Sequence, residues 1–127
     1  MKRVFVVDDE PDVTDLLRTI LEFEGFAVET ATDGRTALTR TLADPPDLLV
    51  LDLMMPGLDG FELLKLLRLD PRGAKVPVLV VSARSGRQHL IESLQRGANA
   101  YVCKPFSPRE LTRTVAHLLG GEEEHRE

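Results

Sequence analysis

The sequence predicts an α/β fold, in which a parallel β-sheet is covered by helices on both faces. Short apolar runs alternate five times with amphipathic stretches, and glycine and proline mark the boundaries between them. The length of 127 residues fits one domain with one core, and no internal repeat is visible. Together these observations indicate five successive β-α units.

The first half of the chain supplies three predicted strands, at Val4–Val7, Phe26–Ala31 and Leu48–Leu51. Pro11 lies in the first turn of the first helix and Gly25 is placed to end it. The predicted apolar face of that helix comprises Val13, Leu16, Leu17, Ile20 and Leu21. Asp33-Gly34 opens a second helix, which Pro45-Pro46 ends before the third strand.

The second half follows the same alternation. Asp59-Gly60-Phe61-Glu62 is a capping sequence for the third helix, whose predicted apolar face comprises Leu63, Leu64, Leu66 and Leu67. The fourth and fifth strands are predicted at Val76–Val81 and Ala100–Cys103. Ser85 is positioned to cap the fourth helix and Gly97 to close it. Ser107-Pro108-Arg109-Glu110 starts the fifth helix, and Gly120-Gly121 ends it.

The strand order matters because acidic residues follow two of the apolar runs. Asp8-Asp9-Glu10 comes after the first strand and Asp52 after the third. The flavodoxin-like (βα)5 order 2-1-3-4-5 places these two strands side by side at the topological switch point, where ligands bind. The sequence therefore predicts one crevice with at least three carboxylates.

Composition excludes several classes of function. The net charge is -5, of which the acidic end Glu122-Glu123-Glu124-His125-Arg126-Glu127 contributes -3, so the remaining body is nearly balanced and is not expected to bind nucleic acid directly. No apolar stretch is long enough to span a membrane, and no signal peptide precedes the first strand. A single cysteine, Cys103, fits a reducing cytoplasm.

The carboxylates predict a magnesium site with a nucleophile in it. Mg²⁺ takes oxygen ligands and keeps several waters, so Asp9 and Asp52, with Asp8 direct or through water, suffice with the backbone carbonyl of Met54. An aspartate beside such a metal can attack a phosphoryl group and form an acyl phosphate. Lys104 and Ser82, at the ends of the fifth and fourth strands, are placed to contact the phosphoryl oxygens.

Each of these residues also has an ordinary structural interpretation. Asp8-Asp9-Glu10 before Pro11 can favour a helix N-terminus through the helix dipole. Asp52 alone is more often a solvated turn residue, and Lys104 alone is more often a surface lysine. Tyr101 alone is more often a packing residue. The phosphoryl hypothesis depends on the combination at four strand ends.

The combination resembles the receiver domain of bacterial two-component response regulators over about residues 2–119. The resemblance rests on Val6-Val7-Asp8-Asp9-Glu10, on Asp47 through Gly60 with the core Leu51-Asp52-Leu53-Met54-Met55-Pro56-Gly57, on Ser82-Ala83, on Gly97-Ala98 with Tyr101, and on Lys104-Pro105-Phe106. By this resemblance residues 1–120 form the receiver domain. Residues 121–127 are then a disordered acidic tail or the start of a linker.

The resemblance implies a role for each site residue. Asp52 is the phosphoacceptor, Asp8 and Asp9 are the acidic pair that binds Mg²⁺, and Lys104 contacts the phosphate. Ser82 and Tyr101 are the switch pair, and the Lys104-Pro105 bond is expected to be cis.

The donor would be a sensor histidine kinase or a histidine phosphotransfer protein. The protein would be a cytoplasmic signalling switch that catalyses only its own phosphotransfer and dephosphorylation. Its output face would be helix four, strand five and helix five.

Three features depart from the commonest family pattern or are particular to this chain. Asn99-Ala100 stands where receivers of winged-helix transcription factors often have Asp-Asp, which argues against the dimer of that subfamily. The sequence stops just past the fifth helix, so we expect either a stand-alone receiver that acts by binding a downstream partner or a fragment of a larger regulator whose output domain lies elsewhere. Met54 and Arg84, two residues beyond Asp52 and Ser82, are bulky and cannot orient a water, which predicts slow self-dephosphorylation.

Two other classes of protein use related chemistry or a related fold. A haloacid-dehalogenase-like phosphatase also forms an aspartyl phosphate with Mg²⁺, but it places an Asp-x-Asp pair after the first strand, whereas Asp8 and Asp9 are adjacent here. A flavodoxin-like cofactor carrier needs a glycine- and hydroxyl-rich phosphate loop at that position. The acidic loop of this chain would repel a phosphate unless a metal intervened.

Overall fold

A computed structural model describes residues 1–83 and 86–120. Its strands are β1 (Arg3–Val7), β2 (Ala27–Ala31), β3 (Leu48–Leu51), β4 (Val78–Ser82) and β5 (Ala100–Cys103). Its helices are α1 (Pro11–Phe23), α2 (Gly34–Ala43), α3 (Gly60–Leu69), α4 (Arg87–Gln95) and α5 (Pro108–Leu118). All strand pairs are parallel, and the order β2-β1-β3-β4-β5 confirms the predicted topology.

The register of the central strands brings the acidic residues together. Val7 pairs with Leu51 across β1 and β3, so the next residue of each strand, Asp8 and Asp52, emerges at the same edge of the sheet. The backbone N–H of Asp52 donates to the carbonyl of Val7 at 3.0 Å, which continues the ladder by one residue. The sheet thus fixes the separation of the two carboxylates through its hydrogen bonds.

The core consists of two apolar layers, one on each face of the sheet. Alternate residues of the strands point to opposite faces, so Phe5 and Leu49 lie in one layer and Val4 and Leu48 in the other. The first layer is completed by α2 and α3, and the second by α1 and α5. Every residue of β3 and β4 is buried, which accounts for their continuous apolar runs.

Side-chain caps begin three of the helices where the sequence predicts them. Asp33, Asp59 and Ser107 accept hydrogen bonds from the backbone N–H groups of Thr36, Glu62 and Glu110, at 2.8–2.9 Å. Glycines with positive φ follow the helix ends as expected, at Gly25, Gly97 and Gly120. The predicted cap Ser85 and the predicted tail 121–127 lie outside the described residues.

Three expectations about the elements were wrong. Leu16 is 52% exposed and Leu66 is 42% exposed, because the helices turn Thr14, Leu17 and Leu21, and Leu63, Leu64 and Leu67, towards the sheet instead. The fourth strand starts at Val78 rather than Val76, since Pro77 has no N–H and Val76 donates to Gly73 in a turn.

Arg68 has a structural role that the sequence analysis did not predict, because it joins three segments at one corner of the fold. Its guanidinium donates to the carbonyls of Gly73 at 2.9 Å, Val76 at 2.7 Å and Gly97 at 2.7 Å, and to Oδ1 of Asn99 at 3.1 Å. The side chain therefore joins the end of α3 to the turn before β4 and to the turn between α4 and β5. Burial lowers the pKa of Arg68.

Candidate functional site

The site lies at the carboxyl edge of the sheet, where four strands deliver polar residues. Asp8 follows β1, Asp52 follows β3, Ser82 ends β4 and Lys104 follows β5. The backbone N–H of Lys104 donates to the carbonyl of Ser82 at 2.8 Å, which brings the last two strand ends together. The structure thus groups the residues that the sequence singled out.

Three carboxylates form a compact cluster at this edge. One oxygen each of Asp8, Asp9 and Asp52 lies within 4.8 Å of the others. Asp8 and Asp52 are 1% and 5% exposed, while Asp9 is the more accessible of the three. The accessible member leaves an open side through which a cation and a phosphoryl donor can approach.

Lys104 partly neutralises the cluster. Its Nζ lies 2.6 Å from Oδ2 of Asp8 and 3.6 Å from Oδ2 of Asp52. Burial alone would lower the pKa of Lys104, but the hydrogen bond to Asp8 and the charge of Asp52 outweigh burial, and the pKa is raised. The ammonium therefore stays charged beside Asp52. The Lys104-Pro105 peptide bond that follows is cis, as expected.

Asp52 is held in an environment that disfavours its charge. Burial, together with the negative charge of Asp8, raises its pKa to about 6, against the lowering effects of the Met54 N–H and of Lys104. The backbone N–H of Met54 donates to Oδ1 of Asp52 at 3.2 Å and orients the carboxylate. A divalent cation in the cluster would relieve this repulsion and favour the ionised, nucleophilic form.

Gly60 has a role in the site that the sequence analysis missed. A Cβ at this position would collide with the backbone carbonyl of Asp52 and lie 2.6 Å from Cα of Leu53. The N–H of Gly60 also donates to the carbonyl of Leu53 at 3.0 Å. The first turn of α3 thus packs directly on the backbone that presents Asp52. The signal available in the sequence was the glycine directly after the cap residue Asp59.

The two predicted switch residues lie on the adjacent strands β4 and β5. Ser82 is fully buried at the end of β4, and its backbone pairs with Cys103 of β5. Tyr101 is half-buried and packs against the apolar layer formed with α2 and α3. Met54 is 48% exposed beside Asp52. Arg84, the other residue on which slow dephosphorylation was predicted, lies outside the described residues.

The donor set fits Mg²⁺. Three carboxylates converge and two of them are buried. Burial and then the charge of Asp8 raise the pKa of Asp52, and a hard cation bound by these oxygens would offset both effects. Among residues 1–83 and 86–120, the members of this cluster are all carboxylates, so an oxygen-preferring cation is favoured over zinc or copper.

The fold and this site define a class of phosphoacceptor signalling domains, and comparison with known proteins identifies the family. The family model described as "Response regulator receiver domain" matches residues 4–116. The chain belongs to the response regulator receiver domain family. This match sets aside the phosphatase and the cofactor carrier.

Curated relatives are longer response regulators. The chain is 39% identical to the DNA-binding response regulator MtrA of Mycolicibacterium smegmatis, over 97% of this chain and 53% of that protein. It is 42% identical to the alkaline phosphatase synthesis transcriptional regulatory protein PhoP of Bacillus subtilis, over 93% of this chain and 48% of that protein. The chain thus spans about half the length of the curated relatives it matches.

Solved structures share the whole fold. A putative response regulator from Chloroflexus aurantiacus superposes with a TM-score of 0.89 at 34% identity, covering 94% of this chain and 98% of that one. The chemotaxis protein CheY4 of Vibrio cholerae superposes with a TM-score of 0.86 at 30% identity, over 93% and 98% of the two chains. Within the described residues, no helix is long and apolar enough to cross a membrane.

Proposed function

We propose that this protein is a phosphorylation-dependent switch in which Asp52 accepts a phosphoryl group from a phosphohistidine donor. The observation that carries the proposal is the position of the Asp52 carboxylate, buried between Asp8 and Lys104 and 3.6 Å from the lysine Nζ. A carboxylate with a purely structural role would not need Asp8 and Asp9 so close to it. A nucleophile that attacks a phosphorylated donor needs such acids, because they can hold a cation.

The transfer is a single displacement at phosphorus. A carboxylate oxygen of Asp52 forms the new P–O bond while the P–N bond to the donor histidine breaks, and the departing imidazole nitrogen takes up a proton. Lys104 is close enough to Asp52 to contact an equatorial phosphoryl oxygen once the group is attached. The hydroxyl of Ser82 is the proposed hydrogen-bond donor to a second phosphoryl oxygen. These contacts stabilise the charge of the phosphoryl group.

Mg²⁺ is the proposed cofactor, held by Asp8, Asp9 and Asp52 with the backbone carbonyl of Met54. When bound, it neutralises charge on the phosphoryl oxygens. Asp8 has a second task, because its Oδ2 holds Lys104 and its Oδ1 accepts the Glu10 N–H at 3.0 Å. This carboxylate is therefore positioned before any cation arrives.

Attachment of the phosphoryl group gives Ser82 a new acceptor next to the start of the β4-α4 connection. We infer that this contact shifts the connection and that Tyr101 follows, so that the surface formed by α4, β5 and α5 changes. This is a two-state equilibrium biased by a local charge, and its output is read by a partner or an output domain.

Membership of the family supports a proposal for the setting of the switch. The donor is a sensor histidine kinase or a histidine phosphotransfer protein, and the domain comprises residues 1–120. The chain acts as a cytoplasmic signalling protein whose chemistry is confined to its own phosphotransfer and dephosphorylation. Curated relatives are named as DNA-binding or transcriptional regulators. Action on DNA would require an output domain beyond the receiver residues.

The test is incubation with Mg²⁺ and a small acyl phosphate, followed by intact-mass measurement. One phosphoryl adduct is expected in the wild type and none in Asp52→Asn. Asp15→Asn is the matched control, because Asp15 is an exposed aspartate of α1 and its variant should still be phosphorylated. An adduct of equal yield in Asp52→Asn, or no adduct in the wild type, would overturn the proposal.

A further inference from the structure

Helices α2 and α3 begin with the same pair of residues, an aspartate followed by a glycine. Asp33 and Asp59 cap the two helices, and Gly34 and Gly60 are their first residues. Neither glycine has a positive φ, so the backbone at both positions would accept alanine. Alanine also favours a helix more than glycine does. The reason for a glycine at these positions therefore lies in the neighbouring backbone.

Gly34 lets the start of α2 approach the loop of residues 52–59, which connects β3 to α3. A Cβ at Gly34 would collide with the carbonyl oxygen of Leu58 and lie 3.2 Å from its carbonyl carbon and its Cβ. Gly60 rests in the same way on the carbonyl of Asp52 at the other end of the loop. The first turns of two helices thus pack directly on the segment that begins with the nucleophile.

The outer part of this loop depends on Leu58 for support. The inner part is fixed by Leu53 and Met55, which are 2% and 6% exposed. Pro56 and Gly57 are exposed, and a Cβ at Gly57 would meet nothing within 4 Å. Leu58 is half-buried against the apolar layer formed with α2 and α3. Its contact with α2 is therefore where the outer part of the loop meets the body of the domain.

Helix α2 is too firmly held to yield to the loop. Ala37 and Thr41, on its inner side, are fully buried. Arg40 donates to Oε1 of Glu29 in β2 at 3.1 Å, and its guanidinium lies 4.8 Å from the ring centre of Phe5 in β1. The helix is thus anchored to two strands of the sheet by side chains that a movement of α2 would displace.

The loop, by contrast, has room to move on its other side. A hollow of about 340 Å³ adjoins it there, on the side of α3 where the guanidinium of Arg96, at the end of α4, lies 5.0 Å from the ring centre of Phe61. The lining comes from the loop and the first turn of α3: Leu53, Met54, Met55, Pro56, Asp59 and Phe61. A side chain at position 34 would therefore push the loop into this hollow.

We propose that Gly34 is a positioning residue for the Mg²⁺ site, because its contact with Leu58 holds the loop in the shape that presents the Met54 carbonyl. This inference rests on the proposed function, in which that carbonyl is a ligand. The N–H of Met54 also donates to Oδ1 of Asp52 at 3.2 Å, so a shift at Met54 disturbs two ligands together. Gly34 acts through the loop and touches neither the cation nor the phosphoryl group.

The test compares Gly34→Ala with Arg35→Ala, which introduces alanine at the next, exposed position of α2. Mg²⁺ is titrated while the methyl NMR signal of Met54 is followed, because this signal can be read for the folded molecules alone. Gly34→Ala should raise the Mg²⁺ dissociation constant by roughly fivefold or more, and Arg35→Ala by less than about twofold. Phosphoryl uptake from acyl phosphate by Gly34→Ala should be slow at low Mg²⁺ and recover as Mg²⁺ approaches saturation.

A second pair of variants tests the same contact without adding an atom to α2. Asp33→Ala removes the cap that starts the helix, whereas Asp33→Asn keeps a cap and loses the same charge. The Mg²⁺ dissociation constant should be about twofold or more higher in Asp33→Ala than in Asp33→Asn, because an uncapped first turn supports Leu58 less well.

The outcomes separate the role of Gly34 from the proposed function. Absence of Mg²⁺ binding by the wild type overturns both. Wild-type binding with an unchanged dissociation constant in Gly34→Ala overturns the positioning role alone, and a loss of stability in that variant, measured by urea unfolding in EDTA, then shows that the role is purely structural. If Gly34→Ala does not fold, the Asp33 pair decides, since equal Mg²⁺ affinities in Asp33→Ala and Asp33→Asn contradict the positioning role.

Discussion

At the scale of single residues, the site holds buried carboxylates that repel one another. Asp8 and Asp52 are buried side by side, and Lys104 contacts both. Burial, together with the negative charge of Asp8, raises the pKa of Asp52 to about 6 despite the charge of Lys104. The ionised Asp52 carboxylate therefore destabilises the metal-free protein, by an amount that depends on pH and on bound cations.

Asp52→Asn should stabilise the metal-free protein at pH 7.5 and lose this advantage in acid. The folded pKa of about 6 lies above the ordinary value, so protonated Asp52 contributes stability below about pH 4 that is lost as the pH rises through 6. The neutral amide avoids that loss, which is worth about 1–3 kcal/mol. Urea unfolding in EDTA at pH 7.5 and 4.5 measures it.

Asp15→Asn is the matched control for this pH dependence, because it makes the same chemical change at an exposed position of α1 outside the site. A stability difference between Asp52→Asn and the wild type that does not change with pH would contradict the raised pKa.

Lys104→Met should tighten Mg²⁺ binding while slowing phosphoryl uptake. The lysine ammonium repels a cation in the carboxylate cluster, and its removal should favour binding by about 1–2 kcal/mol, or roughly tenfold in the dissociation constant. Calorimetric titration measures the affinity, and the acyl-phosphate assay measures uptake. Lys65→Met, on the exposed side of α3, is the control. Weaker Mg²⁺ binding in Lys104→Met would refute the proposed electrostatics.

At the scale of elements, the helices differ in how firmly their ends are fixed. Side-chain caps begin α2, α3 and α5, whereas α4 begins at an uncapped glycine. The opposite end of α4 is held by Arg68, whose guanidinium donates to the carbonyl of Val76 before β4 and to that of Gly97 between α4 and β5. Asn99 completes this corner, because its Oδ1 accepts from the Val78 N–H at 2.8 Å and from Arg68. The corner therefore depends on neutral acceptors around a half-buried guanidinium.

Gly97→Ala should destabilise the protein more than Gly25→Ala does. Both glycines have positive φ, at 110° and 96°, so both alanines are strained by about 1 kcal/mol. At Gly97 the new Cβ would also lie 2.9 Å from Nε of Arg68, whereas at Gly25 nothing lies within 4 Å. An additional loss of about 1–3 kcal/mol is expected at Gly97. Thermal and urea unfolding measure the loss of stability in the two variants. Equal losses would show that the Arg68 side chain moves away from the new Cβ without an energetic penalty.

At the scale of the whole molecule, the parallel sheet brings together residues that are far apart in sequence. Lys104 and Asp8 are separated by 96 positions, yet their side chains meet at 2.6 Å. Asp8 and Asp52 follow the central strands β1 and β3, each of which pairs with two neighbouring strands, and Lys104 follows the edge strand β5, which pairs with β4. A cation that binds the cluster therefore stabilises the native fold as a whole, because the unfolded chain has no such cluster.

Mg²⁺ should raise the unfolding free energy of the wild type, and Asp9→Asn should reduce this effect. A cation at ten times its dissociation constant adds about 1.4 kcal/mol by mass action. Asp9 is the accessible member of the cluster, so its substitution should change metal-free stability little. Urea unfolding with and without Mg²⁺ measures both values. An equal Mg²⁺ effect in Asp9→Asn would show that this carboxylate is not a ligand.

Local chemistry made most of the fold predictable. Apolar runs at Leu48–Leu51 and Ala100–Cys103 gave strands with the same bounds in the structure, and the caps Asp59 and Ser107 act as their spacing predicts. Two of the three errors arose where tertiary packing chose between apolar residues. Leu16 and Leu66 fit their helical patterns, but the sheet accepts only one stripe of each helix. Pattern alone cannot select that stripe.

The sequence by itself determined which residues lie together at the candidate site, because the strand ends are visible as the ends of apolar runs. Asp8, Asp9, Asp52, Ser82 and Lys104 were all identified in this way. Only the tertiary structure decided how Lys104 divides its charge between Asp8 and Asp52, why Gly60 must lack a side chain, and which side of α4 faces inward. These features depend on distances between segments that the chain connects through whole β-α units, and such distances are set by packing.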